Sequence, residues 1–80
     1  MAKHPIAIQI GRALRARRQA AGKSQDEFAD YIDMHRAYYA AIERGEKKVT
    51  LKTLKRVADG LRVSMSEILR DIDRQFFPRN

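Results

Sequence analysis

The sequence predicts an all-α fold, a compact domain of five short helices, and three observations carry that expectation. Apolar residues recur at helical spacing, and no stretch alternates apolar and polar residues for long enough to make a half-buried strand. Two capping boxes, Ser24-Gln25-Asp26-Glu27 and Ser64-Met65-Ser66-Glu67, mark helix starts at which a serine and a glutamate three residues on satisfy each other's backbone N–H groups. Residues 1–80 contain no linker, repeat or low-complexity segment, so they read as a single domain.

The first helix starts after Pro5. Ile6, Ile10, Leu14 and Ala21 approximate its apolar face, and Gly22 ends it as a C-terminal cap. The second begins at Ser24, turns Phe28, Ala29 and Ile32 inward, and gathers its acids in the first turn, where the helix dipole favours them. It must end near Ile32, because Asp33 tolerates the left-handed conformation of a sharp turn. A third helix runs from about His35 to Arg44, with Tyr39 and Ile42 inward and Gly45 closing it. After the polar connection Glu46-Lys47-Lys48-Val49, Thr50 is the N-cap of a fourth helix bearing Leu51, Leu54, Val57, Ala58 and Leu61. The second capping box opens a fifth helix over about 64–77, with Met65, Ile68, Leu69, Ile72 and Phe76, and Pro78 ends it.

A chain this short buries only about 60% of its unfolded surface, so its core is marginal without help. There is no cysteine for a disulfide or thiolate metal site, and His4 and His35 show no zinc-ligand spacing; no metal or cofactor is expected. Oligomerisation is the remaining source of stability. No apolar run approaches the roughly 20 residues of a membrane span. Met1-Ala2-Lys3-His4-Pro5 has no apolar signal-peptide segment, so the expectation is a cytoplasmic, nucleoid-associated protein without a membrane partner.

Charge narrows the function. Seventeen lysines and arginines against ten acids give +7, which makes polyanions the default partners. The charge is blocked: +6 over residues 1–24, −4 over 25–34, +5 over 35–62 and zero over 63–80. An enzyme would need a nucleophile–base pair or paired carboxylates. Asp71 and Asp73 lie two apart on a helix and face different ways, and Ser24, Ser64 and Ser66 have no histidine at a suggestive spacing. A binding protein is therefore expected, not an enzyme.

The second and third helices are separated by about three residues, the spacing of a helix-turn-helix whose second helix enters the DNA major groove. The motif spans about 24–45. Ala29 is small enough for the two helices to cross closely, and Arg36, Ala37, Ala40, Ala41 and Arg44 remain for the outer face of the third helix. Arg36 and Arg44 are candidate bidentate donors to guanine, Ala37 and Ala41 can touch a thymine methyl, and His35 sits at the entry to the helix. Ser24 and Gln25 at a helix N-terminus, together with Tyr38, Lys47, Lys48 and Lys52, are candidate phosphate contacts. Arg12 and Arg15 flank this surface, and Arg17 reads as part of a solvated face.

With Ile10-Gly11, Leu14-Arg15, Arg18, Gly22, Ser24-Gln25, Glu27-Phe28-Ala29, Ile32, Ile42-Glu43-Arg44-Gly45, Thr50-Leu51, Leu54, Val57-Ala58, Leu61, Val63 and Leu69, the chain resembles the Cro/CI (Xre-type) helix-turn-helix regulators. The likeness covers roughly residues 8–70 and implies a lambda-repressor-like fold and double-stranded DNA as partner. The run from Arg36 to Gly45 is most similar to the controller proteins of restriction–modification systems. The resemblance implies that Gln25 contacts the DNA backbone and that Arg18 pairs with Glu43, making Glu43 structural although it lies inside the motif. Departures are Asp33 where many relatives have glycine, His35 where serine or aspartate is common, Tyr39 for isoleucine or valine, and alanines where others have polar base readers.

In the fifth helix, Met65 and Leu69 are expected in the molecule's own core, and Ile68, Ile72 and Phe76 in a twofold interface. The expected function is a homodimeric transcriptional regulator, probing a palindromic operator with two recognition helices about 34 Å apart and acting at its own promoter. It would block polymerase, or contact and recruit RNA polymerase when its site lies upstream. The alternatives are an antitoxin that represses its own operon and a helix-turn-helix module that bridges proteins.

Overall fold

The computed structural model describes residues 5–76, with the side chain of Phe76 outside that description. Five helices follow one another: α1 (Pro5–Ala20), α2 (Gln25–Tyr31), α3 (Arg36–Glu43), α4 (Leu51–Leu61) and α5 (Met65–Phe76). There is no strand among the described residues, and no helix there is long and apolar enough to cross a membrane. Their starts follow local chemistry. The Ser24 hydroxyl accepts the Glu27 N–H at 3.1 Å while the Glu27 carboxylate accepts the Ser24 N–H at 2.9 Å. Ser64 and Glu67 make the same reciprocal pair at 3.1 and 3.0 Å, and the Thr50 hydroxyl caps α4 by accepting the Thr53 N–H. Gly22 closes α1 at φ 75°. Helix α4 closes differently, on Arg62 at φ 61°, a left-handed residue that the sequence did not flag.

Helices α1, α2 and α3 pack together, and α5 packs across α1 and α4. Phe28, Tyr39, Leu14, Ile42, Ile68 and Val57 are fully buried between them. The Phe28 and Tyr39 rings stack tilted, their centroids 5.2 Å apart, and join α2 to α3. Gly11 sets the approach of α1 to α3: a Cβ there would lie 2.4 Å from the Glu43 carbonyl oxygen, so the two backbones pass too closely for any side chain.

Three expectations about faces are corrected. On α1, Ala7, Gly11, Ala13, Leu14 and Arg18 are buried, whereas Ile6, in the first turn, and Ala21, past the helix end, are exposed. On α4 the stripe Leu54, Val57, Ala58 is buried, but Leu51 in the first turn extends beyond it into solvent. On α5 the inward and outward residues exchange. Ile68 is fully buried and Ile72 nearly so, which removes both from any dimer face, while Leu69 is 48% exposed. The reason is rotation. Met65, Ile68 and Ile72 share one face at i, i+3 and i+7, and that face lies on α1 and α4; Leu69 is turned about 100° from Ile68, to the edge of that face. Phe76, the third residue expected at a dimer interface, has its side chain outside the described residues.

Candidate nucleic-acid interface

The geometry of the helix-turn-helix is set where α2 stops. Asp33 adopts φ 55°, and the Met34 N–H reaches back to the Ala29 carbonyl at 2.8 Å, so the chain turns sharply into α3. The carbonyls left open at the end of α2 are not abandoned to solvent. Arg56, on α4, donates to the Ile32 carbonyl from Nε at 3.1 Å and from Nη2 at 2.9 Å, and to the Asp33 carbonyl from Nη2. A planar fork is suited to two adjacent carbonyls, and it ties the turn to the rest of the domain. Sequence reasoning missed Arg56, because a donor 23 and 24 residues away leaves no local signal.

Helix α3 begins at Arg36. His35 is its N-cap but makes no side-chain cap hydrogen bond, and it is exposed. Arg36, Ala37 and Arg44 are exposed and Ala40 half-buried, and these four form one stripe along the helix. Ala41 is corrected: it is buried, at 6% exposure, and cannot touch a base. It lies about 140° round the helix from Arg36, on the flank where the chain folds back and the Glu46 N–H bonds its carbonyl at 3.0 Å.

Both arginines of the stripe are held by acids. Arg36 donates from Nε to Asp30 Oδ1 at 3.0 Å and from Nη2 to Asp30 Oδ2 at 2.7 Å, with Asp26 Oδ2 3.5 Å from Nη1. The pairing holds the Asp30 carboxyl below its ordinary range and the guanidinium above its own. Arg44 donates to Glu46 at 3.0 Å. Lys47 and Lys48 in the α3–α4 connection and Lys52 in the first turn of α4 are exposed, as are Arg12 and Arg15. Tyr38 is half-buried, its ring against the core. Ser24 is exposed, but its N–H and one hydroxyl lone pair serve the capping box, leaving the hydroxyl proton to donate elsewhere.

Beneath the stripe lies a buried polar cluster. Arg18 on α1 donates to both oxygens of Glu43, Nε at 2.8 Å and Nη2 at 2.9 Å, and from Nη1 to the Lys23 carbonyl at 2.9 Å. Gln25 Nε2 donates to Glu43 Oε1 at 2.9 Å, and the Tyr39 hydroxyl donates to Oε2. Burial by itself would raise the Glu43 carboxyl, but the hydrogen bonds from Arg18, Gln25 and Tyr39 outweigh it and hold the group below the usual range. Burial, and then the neighbouring carboxylate, push the Tyr39 phenol far up. The hydroxyl that made Tyr39 a departure from the usual apolar residue therefore completes the coordination of Glu43. Gln25, expected on phosphate, keeps its second amide proton for that contact. Arg17 is not a free solvated residue: it donates to Asp71 on α5 from Nε at 2.7 Å.

A sharp turn, a buried ion pair behind the second helix and exposed arginines along it define a helix-turn-helix. A helix-turn-helix family model matches residues 14–68. The control protein C.MunI of a Mycoplasma species is 37% identical over 71 residues, which is 88% of this chain and 96% of that protein. The chain belongs to the Cro/CI (Xre-type) helix-turn-helix family.

Among solved structures, the restriction–modification controller protein C.AhdI from Aeromonas hydrophila superposes with a TM-score of 0.77 at 29% identity, over 81% of this chain and 98% of that one. The clp gene regulator ClgR from Corynebacterium glutamicum gives 0.87 at 25% identity, over 96% and 100%. Within the family the chain is of the controller-protein type, a helix-turn-helix DNA-binding transcription regulator. This family is one of DNA-binding regulators and not of enzymes. Among the described residues there is no cluster of three or more histidines, cysteines or acids able to hold a metal ion.

Proposed function

We propose that the chain is a homodimeric, sequence-specific regulator that binds a palindromic operator and acts at its own promoter. The observation that carries the reading is the stripe of exposed Arg36, Ala37 and Arg44, with half-buried Ala40 between them, on the second helix of the motif, with Lys47, Lys48 and Lys52 following it. Arg36 and Arg44 are the hydrogen-bonding base readers, Ala37 offers a methyl to thymine, His35 lies at the entry, and Ser24, Gln25, Tyr38 and the three lysines face phosphate. Bases specify and phosphates position, so few residues carry the direct readout and DNA shape supplies the rest.

The dimer follows from the size of the domain and from the task. A small core gains from a partner, and two recognition helices one DNA turn apart read a palindrome. With Ile68 and Ile72 inside the monomer, the outer face of α5 around Leu69 is the surface left for a second copy. Selection of bound DNA from a randomised duplex pool at two salt concentrations tests the reading. An enriched palindrome with half-sites about one turn apart supports it, and steep salt dependence without enrichment refutes it.

A further inference from the structure

The charge blocks hold a contradiction. A DNA-reading surface should be basic, yet the helix that precedes the recognition helix presents Asp26, Glu27 and Asp30 in exposed positions, and two of these acids engage Arg36. Asp30 does so in a particular way. It takes the side of the guanidinium, both oxygens bridging Nε and Nη2 at 3.0 and 2.7 Å. A guanidinium has five N–H donors in a fixed plane, so a carboxylate on the Nε–Nη2 side leaves the end of the fork, one proton each on Nη1 and Nη2, unused by Asp30. That end is a second bidentate edge, of the kind that matches guanine O6 and N7. Asp26 reaches Nη1 only at 3.5 Å, a weaker restraint.

We propose that Asp30 is a specificity-determining positioning residue that acts through Arg36. It fixes the plane of the guanidinium and turns the Nη1–Nη2 edge outward, ready for guanine. It also cancels most of the charge with which Arg36 would otherwise attract any phosphate. Two consequences point the same way. Binding to a guanine loses less side-chain freedom, because the fork is already oriented. Binding to arbitrary DNA gains less, because a cation already paired with a carboxylate releases few counterions. Both widen the ratio of specific to non-specific affinity. Arg44 donates to Glu46 Oε1 from Nη2 at 3.0 Å.

The inference rests on the reading of Arg36 as a base contact, and the experiment separates the two. The full chain and its Asp30→Asn, Asp30→Glu, Arg36→Ala and Asp30→Asn/Arg36→Ala variants are titrated against two probes. One is the duplex enriched from the random pool by the unaltered chain, the other a mixed-sequence duplex of equal length without that site. For Asp30→Asn we expect tighter binding to the mixed duplex, a salt slope steeper by about 0.9 as one cation is freed, and weaker or unchanged binding to the enriched one. The affinity ratio should fall by about fivefold to tenfold, the scale of one lost oriented contact. Asp30→Glu, which keeps the charge and two oxygens, should recover most of the ratio, and in the Arg36→Ala background Asp30→Asn should leave it unchanged.

The proposal is overturned if Asp30→Asn raises both affinities by the same factor, since that is a charge effect without positioning. It is also overturned if the loss of ratio persists without Arg36. If Arg36→Ala leaves the ratio of the unaltered chain intact, Arg36 is not a base contact, and the reading beneath the inference fails with it.

Discussion

Arg18 and Glu43, 25 residues apart, meet through two parallel hydrogen bonds of 2.8 and 2.9 Å in the interior, so that the first helix grips the recognition helix by its last residue. Because Gln25 and Tyr39 also donate to that carboxylate, the pair fixes the angles among α1, α2 and α3 together. Its value lies in orientation, since desolvation of two charges offsets much of their attraction.

Breaking this pair on one side should therefore be costly, and replacing both sides should cost less. Glu43→Ala leaves Arg18 buried without its anion and is expected to lose about 3–5 kcal/mol in urea unfolding. The double variant Arg18→Met/Glu43→Leu should lose clearly less than the sum of the two single changes. Additive losses would show that the two residues do not act as a unit.

The same pair sets an acid limit on stability. The folded Glu43 carboxyl lies below its ordinary value of 4.5, and Asp71, held by the Arg17 hydrogen bonds, lies below its ordinary 3.8. A depressed folded pKa contributes stability that is fully present above the unfolded value and is lost as pH falls through the folded one. Unfolding free energy should thus be flat from neutrality to about pH 5 and fall below about pH 4.5, where the unfolded chain begins to bind the extra proton. In Glu43→Gln the decline should be shallower, as read from urea midpoints across the pH series.

Gly11→Ala should destabilise the fold out of proportion to its single methyl. The new Cβ would meet the Glu43 and Ile42 carbonyl oxygens at 2.4 and 2.7 Å, both backbone atoms that cannot step aside alone. We expect a loss of roughly 1–3 kcal/mol from overpacking. Gly22→Ala is the comparison: its Cβ meets nothing within 4 Å, and only the positive φ of 75° is penalised, by about 1 kcal/mol. A thermal melt of the two variants checks the order.

Lys47→Ala and Arg36→Ala should weaken DNA binding in different ways. Removing a phosphate-facing lysine lowers affinity for every duplex about equally and reduces the salt slope by about 0.9. Removing Arg36 should relax base preference at one position of the enriched site, by about tenfold or more. Titration of matched and mismatched duplexes over a salt series distinguishes them.

On α5, Ile68→Ala and Leu69→Glu should separate folding from association. Ile68→Ala empties a fully buried site and should cost about 2–5 kcal/mol. Leu69→Glu changes an exposed position and should move unfolding of the monomer by no more than about 0.5 kcal/mol. If a second copy covers this face, sedimentation of Leu69→Glu should show a shift to monomer at concentrations where the unaltered chain is a dimer.

What the sequence determined by itself is the local chemistry. Ser24 with Glu27, Ser64 with Glu67, Thr50 at the head of α4 and Asp33 at the turn each act within three or four residues, so type and spacing suffice to read them. The Arg18–Glu43 pair was legible only through the family pattern, because nothing local joins residues so far apart. The tertiary structure alone decided which way each face turns. Ile68 and Leu69 point about 100° apart with Ile72 between them, so they offer two overlapping apolar stripes, and only the placement of α5 across α1 and α4 selects one. The same holds for Arg56 on the turn, Arg17 on Asp71 and Asp30 on Arg36: long side chains reach whichever partner packing brings near, and packing is a property of the whole chain.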